Sequence, residues 1–372
     1  MEKPLRVLHV VNSLEPGGME NGVVNIARGL ASRGIETHVA CLERGGEFAD
    51  RLPDPERCVV LGKFGGFSVM ATIHLAEHIA RIRADLLHTH NLGPLIYSAI
   101  ATVAGLRCPI VHGEHSALTA EEKSPRRLRQ RRWLYRCCAR IHTVAEPMRG
   151  ELIAIGFAAD RIEAIANGVD TDRFVPGDRA AARAALGVPV DASVIGIVGR
   201  FGPFKRHDLM IEAFEKLASA CPAAHLLIVG GGGPCEAGIL ARAARSSVSA
   251  RLHFTGFRED PRPCYQALDL LAIPSTNEGM SNAALEAMAC GVPVLANAGC
   301  GHEQIITDGV EGRLADLRSS DALAAELAAL LAAPALLFDK GANARTRVQH
   351  HFSPARMLDA YEHLYRAAAR HR

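Results

Sequence analysis

Short runs of β-branched and aliphatic residues alternate with helix-period segments along most of the chain, and this rhythm limits the fold more than any other feature. "RVLHVV" (6–11) reads as a strand, "MENGVVNIARGLASRG" as a helix closed by Gly34, and "ETHVACL" as the next strand. "RCVVLG", the helix "SVMATIHLAEHIARIRA", the strand "DLLHTH", a helix near 94–105 and "CPIVHGEHS" continue the pattern. A βαβα rhythm of this kind predicts a parallel sheet covered by helices on both faces. It breaks at 165–192, where "AIANGVDTDRFVPGDRAAARAALGVPVDAS" carries turn dipeptides and two prolines, so a linker is expected there. The pattern then restarts with "VIGIVGRF", "HDLMIEAFEKLAS", "HLLIVGGGG", "ARLHFTGF", "LDLLAIPS" and "VPVLANA". The expectation is an α/β protein of two Rossmann-like, doubly wound domains facing each other across a cleft. Ligands of such sheets sit at the carboxyl ends of the strands.

The 372 residues are enough for two domains, and 48% apolar with 22% charged residues is the composition of packed cores. A net charge of +2 gives no global attraction to nucleic acid. The ten cysteines show no C-x-x-C spacing and several sit in apolar runs, so they read as reduced core thiols of a cytoplasmic protein. "MEKPLRVLHVV" lacks a signal-peptide pattern, and no apolar run reaches ~18 residues, so no membrane span is expected.

The chemistry is expected in the strand-end loops. In "NEGMSNAALEAMACGVPV" (277–294), Glu278 follows the strand "LDLLAIPS", Ser281 or Asn282 can cap the next helix, and Glu286 lies inside it. The backbone N–H groups of Asn282, Ala283 and Ala284 therefore fall between two carboxylates, and a helix N-terminus is an anion site. Hydroxyls, diphosphate, hydroxyls is the pattern of a nucleotide sugar, with Glu286 on the ribose and Glu278 on the sugar. "GRFGPFKR" (199–206) adds Arg200 and Lys205, cations able to stabilise a departing nucleoside diphosphate without a metal. "IVGGGG" (228–233), with Gly230, is a third glycine loop at the same sheet edge. In the first domain, Gly17 and Gly18 open a helix able to meet a phosphate or acceptor, and His88, His90 and His115 stand at strand ends.

Gly17-Gly18, His115, "NGVDTDRF" (167–174), Arg200 with Lys205, and Glu278 with seven residues before Glu286 together resemble glycosyltransferase family 4. These are the group 1 glycosyl transferases of the GT-B fold. Each motif is weak alone; their order and spacing over nearly the whole chain are specific. "SLEPGGMENGVVNIA" is also similar to bacterial exopolysaccharide sugar transferases. The resemblance implies a retaining, metal-independent enzyme with no cofactor, using a UDP- or GDP-sugar donor and a saccharide or lipid-linked acceptor. It implies an acceptor domain over 1–168, completed by a C-terminal helix within 353–372, and a donor domain over 169–352. Arg200 and Lys205 would hold the diphosphate, Glu286 the ribose, Glu278 the donor sugar near its C3 hydroxyl, and His115 would face that sugar from the first domain. Gly17, Gly18, Gly230, Asn282 and Ala283 complete the donor set. One departure stands out. Such enzymes often have Gly-Phe-Gly after the first glutamate, whereas this chain has Gly279-Met280-Ser281-Asn282, so the sugar is less defined and Asn282 is a contact candidate.

A dinucleotide dehydrogenase needs G-x-G-x-x-G after a strand, but Cys235 or Glu236 stands where the last glycine belongs. The D-x-D of Asp170 and Asp172 belongs to "NGVDTDRF" and not to a metal site. Histidines 88, 90, 112 and 115 have spacings common by chance among 17 histidines, so no metal is expected. A nucleotide-sugar epimerase of the same fold and a non-catalytic nucleotide-sugar binding protein are the rival functions. "KSPRRLRQRRWLYRCCAR" (123–140) places Arg126, Arg129, Arg132, Arg136 and Arg140 on one helical face bordered by Trp133. That face suits an anionic membrane surface, which would make the protein peripheral on the inner side of the cell membrane. No nucleic-acid module is recognisable.

Overall fold

The structure is a computed structural model, and it describes residues 3–103 and 108–370. The end of the helix expected near 94–105 therefore lies outside the described residues. The chain divides into two compact units, one running up to Asn167 and resuming at Pro354, the other spanning Gly168–Ser353.

The first unit carries seven strands: β1 (Leu5–Val11), β2 (Ile35–Cys41), β3 (Cys58–Val60), β4 (Leu86–His90), β5 (Ile110–Glu114), β6 (Cys138–Thr143) and β7 (Ile162–Ala164). All pair in parallel in the order β3-β2-β1-β4-β5-β6-β7. β4 and β5 are buried along their whole length. Burial along a whole strand is what helices on both faces of a parallel sheet impose, and here it encloses polar side chains too: His88, Thr89 and His90 in β4, His112 and Glu114 in β5. The helix Gly18–Ala31 turns Val23, Val24, Ile26, Ala27 and Leu30 inward, a spacing that makes one face of a 3.6-residue period. Ser68 caps the helix Val69–Ile82 by accepting from the Ala71 N–H at 3.2 Å. The last helix, Pro354–Ala369, buries Met357, Leu358, Tyr361, Leu364, Tyr365 and Ala368 against Val7, Ile26, Leu30 and Leu86. Each large side chain buried there contributes about 1.5–3 kcal/mol, so the tail is a structural part of the first unit.

The second unit holds β8 (Ser193–Val198), β9 (Ala224–Val229), β10 (Leu252–Gly256), β11 (Leu270–Ile273), β12 (Val294–Asn297) and β13 (Gly312–Ala315). They form a parallel sheet in the order β10-β9-β8-β11-β12-β13. The order reverses between β8 and β11, the kind of switch point at which α/β sheets open a ligand crevice. Ile195, Ile197, Leu226, Ile228, Leu270 and Leu295 pack on Met210, Phe214 and Leu217 of the helix His207–Ala220.

Two expectations need correction. The stretch 165–192 is not linker throughout: Arg179–Ala185 is helical, capped by Asp178, and Arg183 pairs with Asp269 at 2.6 Å. The basic helix is shorter than 123–140. It spans Pro125–Arg136, and Arg140 lies in β6, where side chains point alternately to the two faces of a sheet and no longer follow a helical face. Arg140 therefore does not share the face of Arg126, Arg129, Arg132 and Arg136.

Candidate active site

Three strand-end loops of the second unit build the candidate donor site. The loop after β8 carries Arg200, exposed, and Lys205, half-buried in a single 3-10 turn (Pro203–Lys205). The Phe201 N–H donates to the Gly232 carbonyl at 2.9 Å and the Cys235 N–H to the Phe201 carbonyl at 3.1 Å, which ties this loop to the one after β9. Gly230 makes the approach feasible. Its φ is 127°, and a Cβ there would strike the Gly199 carbonyl oxygen. The loop after β11 joins through the Thr276 N–H, which donates to the Phe204 carbonyl at 3.0 Å.

These loops bring two of the sequence candidates into direct contact: Lys205 Nζ lies 2.5 Å from Glu278 Oε1. Burial pushes the Glu278 carboxyl up, but the charge and hydrogen bond of Lys205, with His302 and Ser275, outweigh it and hold Glu278 below its ordinary value. A charge-assisted bond of this length orders both side chains before any ligand arrives. Glu286 lies in the helix Asn282–Ala289 that follows the loop, and Tyr265 donates its hydroxyl to Glu286 Oε2 at 2.7 Å. That bond orients the carboxylate.

Asn282 and Ala283 open the helix Asn282–Ala289, with Ser281 as its cap. The Ser281 hydroxyl accepts from the Ala284 N–H at 3.3 Å. The Ala284 N–H expected to face a ligand is thus already satisfied within the helix cap.

In the first unit, Gly17 caps the helix that starts at Gly18, and its carbonyl accepts from the Asn21 N–H at 2.9 Å. His115 follows β5 directly. Asn91, held at a φ of 67°, accepts the His115 N–H on Oδ1 at 3.3 Å and fixes the backbone there. Burial lowers the His115 imidazole to about 4; neighbouring Glu114 opposes the shift and His112 adds to it. Glu114 is wholly enclosed, hydrogen-bonded by Tyr135 at 2.5 Å and His112 at 3.3 Å and ion-paired with Arg131 at 3.3 Å. Burial alone would raise its carboxyl, but His112, Arg131 and Tyr135 bring it down to about 2. Arg131, 1% exposed and also bonded to Glu122 at 2.9 Å, locks the basic helix to the end of β5.

Several of these partners escaped the sequence reading. Tyr265, His302 and Arg131 sit among apolar or charged neighbours, and only tertiary packing aims them at a carboxylate. His302 left one usable trace: it lies in the glycine-rich "AGCGHEQ" after β12. Gly301 has a φ of 87°, and a Cβ there would come within 2.9 Å of the Gly279 carbonyl oxygen, so glycine lets this loop press on the Glu278 loop.

Residues 16–173 match the model of glycosyltransferase family 4, and residues 192–333 that of the group 1 glycosyl transferases. The chain is 34% identical to D-inositol 3-phosphate glycosyltransferase of Mycolicibacterium paratuberculosis over 86% of its own length and 79% of the relative's. The enzyme of the same name from Mycolicibacterium smegmatis is 32% identical, covering 81% and 76%. The chain therefore belongs to glycosyltransferase family 4, the group 1 glycosyl transferases. Among solved structures, HepE of Anabaena in complex with UDP-glucose superposes with a TM-score of 0.86 at 24% identity, covering 97% of this chain and 99% of that one. Sucrose-phosphate synthase of Thermosynechococcus elongatus gives 0.80 at 22%, covering 97% and 98%.

Proposed function

We propose that this glycosyltransferase moves a sugar from a UDP- or GDP-sugar to a saccharide or lipid-linked saccharide with retention of the anomeric configuration. It does so without metal or cofactor, in the synthesis of an exopolysaccharide or other cell-surface polysaccharide. The observation that carries this reading is the Lys205–Glu278 pair at the carboxyl ends of β8 and β11, with Arg200 on the same loop as Lys205. A diphosphate arriving at this loop competes for Lys205 and frees Glu278 to accept from a sugar hydroxyl. Arg200 and Lys205 then stabilise the charge that grows on the leaving diphosphate, while Tyr265 holds Glu286 for the ribose. His115, Gly17 and Gly18 belong to the acceptor unit in this reading, and Gly230, Asn282 and Ala283 line the phosphates. The exposed arginines of the helix Pro125–Arg136, with Trp133 beside them, serve a peripheral contact with the inner face of the cell membrane.

HepE in complex with UDP-glucose favours UDP over GDP as the carrier. The names of the curated relatives favour a second acceptor, D-inositol 3-phosphate. A transfer assay with UDP- and GDP-sugars, with and without chelator, tests the proposal, with product configuration read by NMR. Expected are an unchanged rate in chelator and a product that keeps the donor's configuration. Inversion, or loss of activity restored by manganese, contradicts it. Parallel reactions with D-inositol 3-phosphate and with lipid-linked saccharides choose between the acceptors.

A further inference from the structure

Three imidazoles form a hydrogen-bonded row at the carboxyl ends of β1, β4 and β5. His9 Nδ1 lies 2.9 Å from His90 Nε2, and His90 Nδ1 lies 2.9 Å from His115 Nε2. His9 and His90 are wholly buried and His115 is half-buried, so the row runs from inside the sheet to the one ring that solvent reaches. Gly113 leaves the space for it, since a Cβ there would come within 3.0 Å of His115 Nε2 and closer still to the ring of His142. At the inner end, His9 Nε2 has no hydrogen-bond partner among the described residues.

That orphan sets the direction of the row. A neutral imidazole has one N–H and one lone pair, so both links must donate the same way. With inward donation, His115 Nε2–H gives to His90 and His90 Nε2–H to His9, which strands an N–H on His9 Nε2 with no acceptor. With outward donation, His9 Nδ1–H gives to His90 Nε2 and His90 Nδ1–H to His115 Nε2, and the orphan is only a bare lone pair. A buried N–H without a partner is the rarer and costlier defect. Outward donation is therefore the stable arrangement. Burial and the neighbouring imidazoles keep the rings neutral, with His9 pushed down to about 3 and His90 well below its ordinary value.

We infer that His9 and His90 are positioning residues that fix His115 as the Nδ1–H tautomer, so that it offers its ligand a hydrogen-bond donor. The functional side of this rests on the place given to His115 in the proposed transferase. His9, His88 and His90 are also near enough together to hold a metal ion. A tetrahedral metal at about 2.0–2.1 Å keeps its nitrogens about 3.3 Å apart, whereas His9 Nδ1 and His90 Nε2, at 2.9 Å, have the separation of a hydrogen bond. The row is the better reading.

Two-bond ¹⁵N–¹H correlation spectra of the full chain read the tautomer directly, with His115 assigned by loss of its signals in His115→Gln. The wild-type ring is expected as Nδ1–H, and this needs no variant with altered packing. His9→Leu does not touch His115, yet it is expected to turn His115 into a mixture of tautomers and to lower kcat roughly 10-fold with little change in donor KM. His90→Leu should do the same, while His90→Gln, whose amide can still donate to His115, keeps the tautomer and recovers most of the rate. A wild-type Nε2–H ring overturns the inference, as does a tautomer indifferent to both leucine variants, or stoichiometric zinc in the purified protein. Should His115→Gln leave turnover unchanged, the transferase role of His115 fails, and the spectra still decide the row by themselves.

Discussion

Lys205 touches Glu278 in the free protein and, in the proposed reaction, the diphosphate in the bound one, so its removal has two separable consequences. Lys205→Ala is expected to lower kcat by about 10²–10³, the usual scale for losing one preorganised group that stabilises developing charge. It also strips Glu278 of the cation that holds its carboxyl down, and burial then pushes that carboxyl up. The acid limb of the pH–rate profile should move to higher pH, because a raised carboxyl is protonated sooner as pH falls. A rate loss with an unmoved acid limb would mean that Glu278 is not needed in ionised form. The candidates at this scale were legible because charge at a strand end between glycines is a pattern. Their partners were not, since nothing in the order of residues brings the Tyr265 hydroxyl to Glu286, 21 positions along the chain.

The helix Pro125–Arg136 shows what an element keeps from its sequence pattern and what it does not. Its basic face was legible, yet its end was read too late, because the arginine period runs on to Arg140 while Cys138–Thr143 is already a strand. Arg131 is the residue that a surface reading passes over, being buried against Glu114 and Glu122. Arg132 donates to the Ile155 carbonyl at 3.0 Å, so it also ties the helix to the structure. The membrane prediction is therefore best put on Arg126, Arg129 and Arg136, all exposed. At about 1 kcal/mol for each basic residue near an anionic surface, changing these three to Ser should weaken binding to phosphatidylserine-rich vesicles roughly 100-fold. Trp133, 55% exposed, reports contact through its emission. Equal sedimentation of wild type and variant with vesicles would remove the membrane role.

The whole molecule carries its α/β rhythm twice, and that was the most legible feature of all, because burial between helix layers writes apolar strands into the sequence. The cost of the first unit's histidine-lined strand ends was not legible. His9, His88, His90 and His142 are wholly buried and lowered, first by burial and then by the charge of neighbouring histidines, His115 among them. Groups with lowered imidazoles stay neutral when folded and take up protons when unfolded below their ordinary value of about 6.5. Stability should therefore be level above pH 6.5 and fall as pH drops below it. At pH 5.5 the loss is about 1.4 kcal/mol for a single such histidine. Thermal unfolding at pH 7.5, 6.5 and 5.5 checks this, and a flat profile across that range would contradict a neutral buried cluster. The central claim, that the loops of the second unit divide donor binding from chemistry, is tested most directly by calorimetry. Titrating UDP and GDP into the wild type, Glu286→Ala and Glu278→Ala should show affinity lost in Glu286→Ala and kept in Glu278→Ala, whose defect lies in kcat. Affinity kept in Glu286→Ala and lost in Glu278→Ala would reverse the two roles and contradict the account.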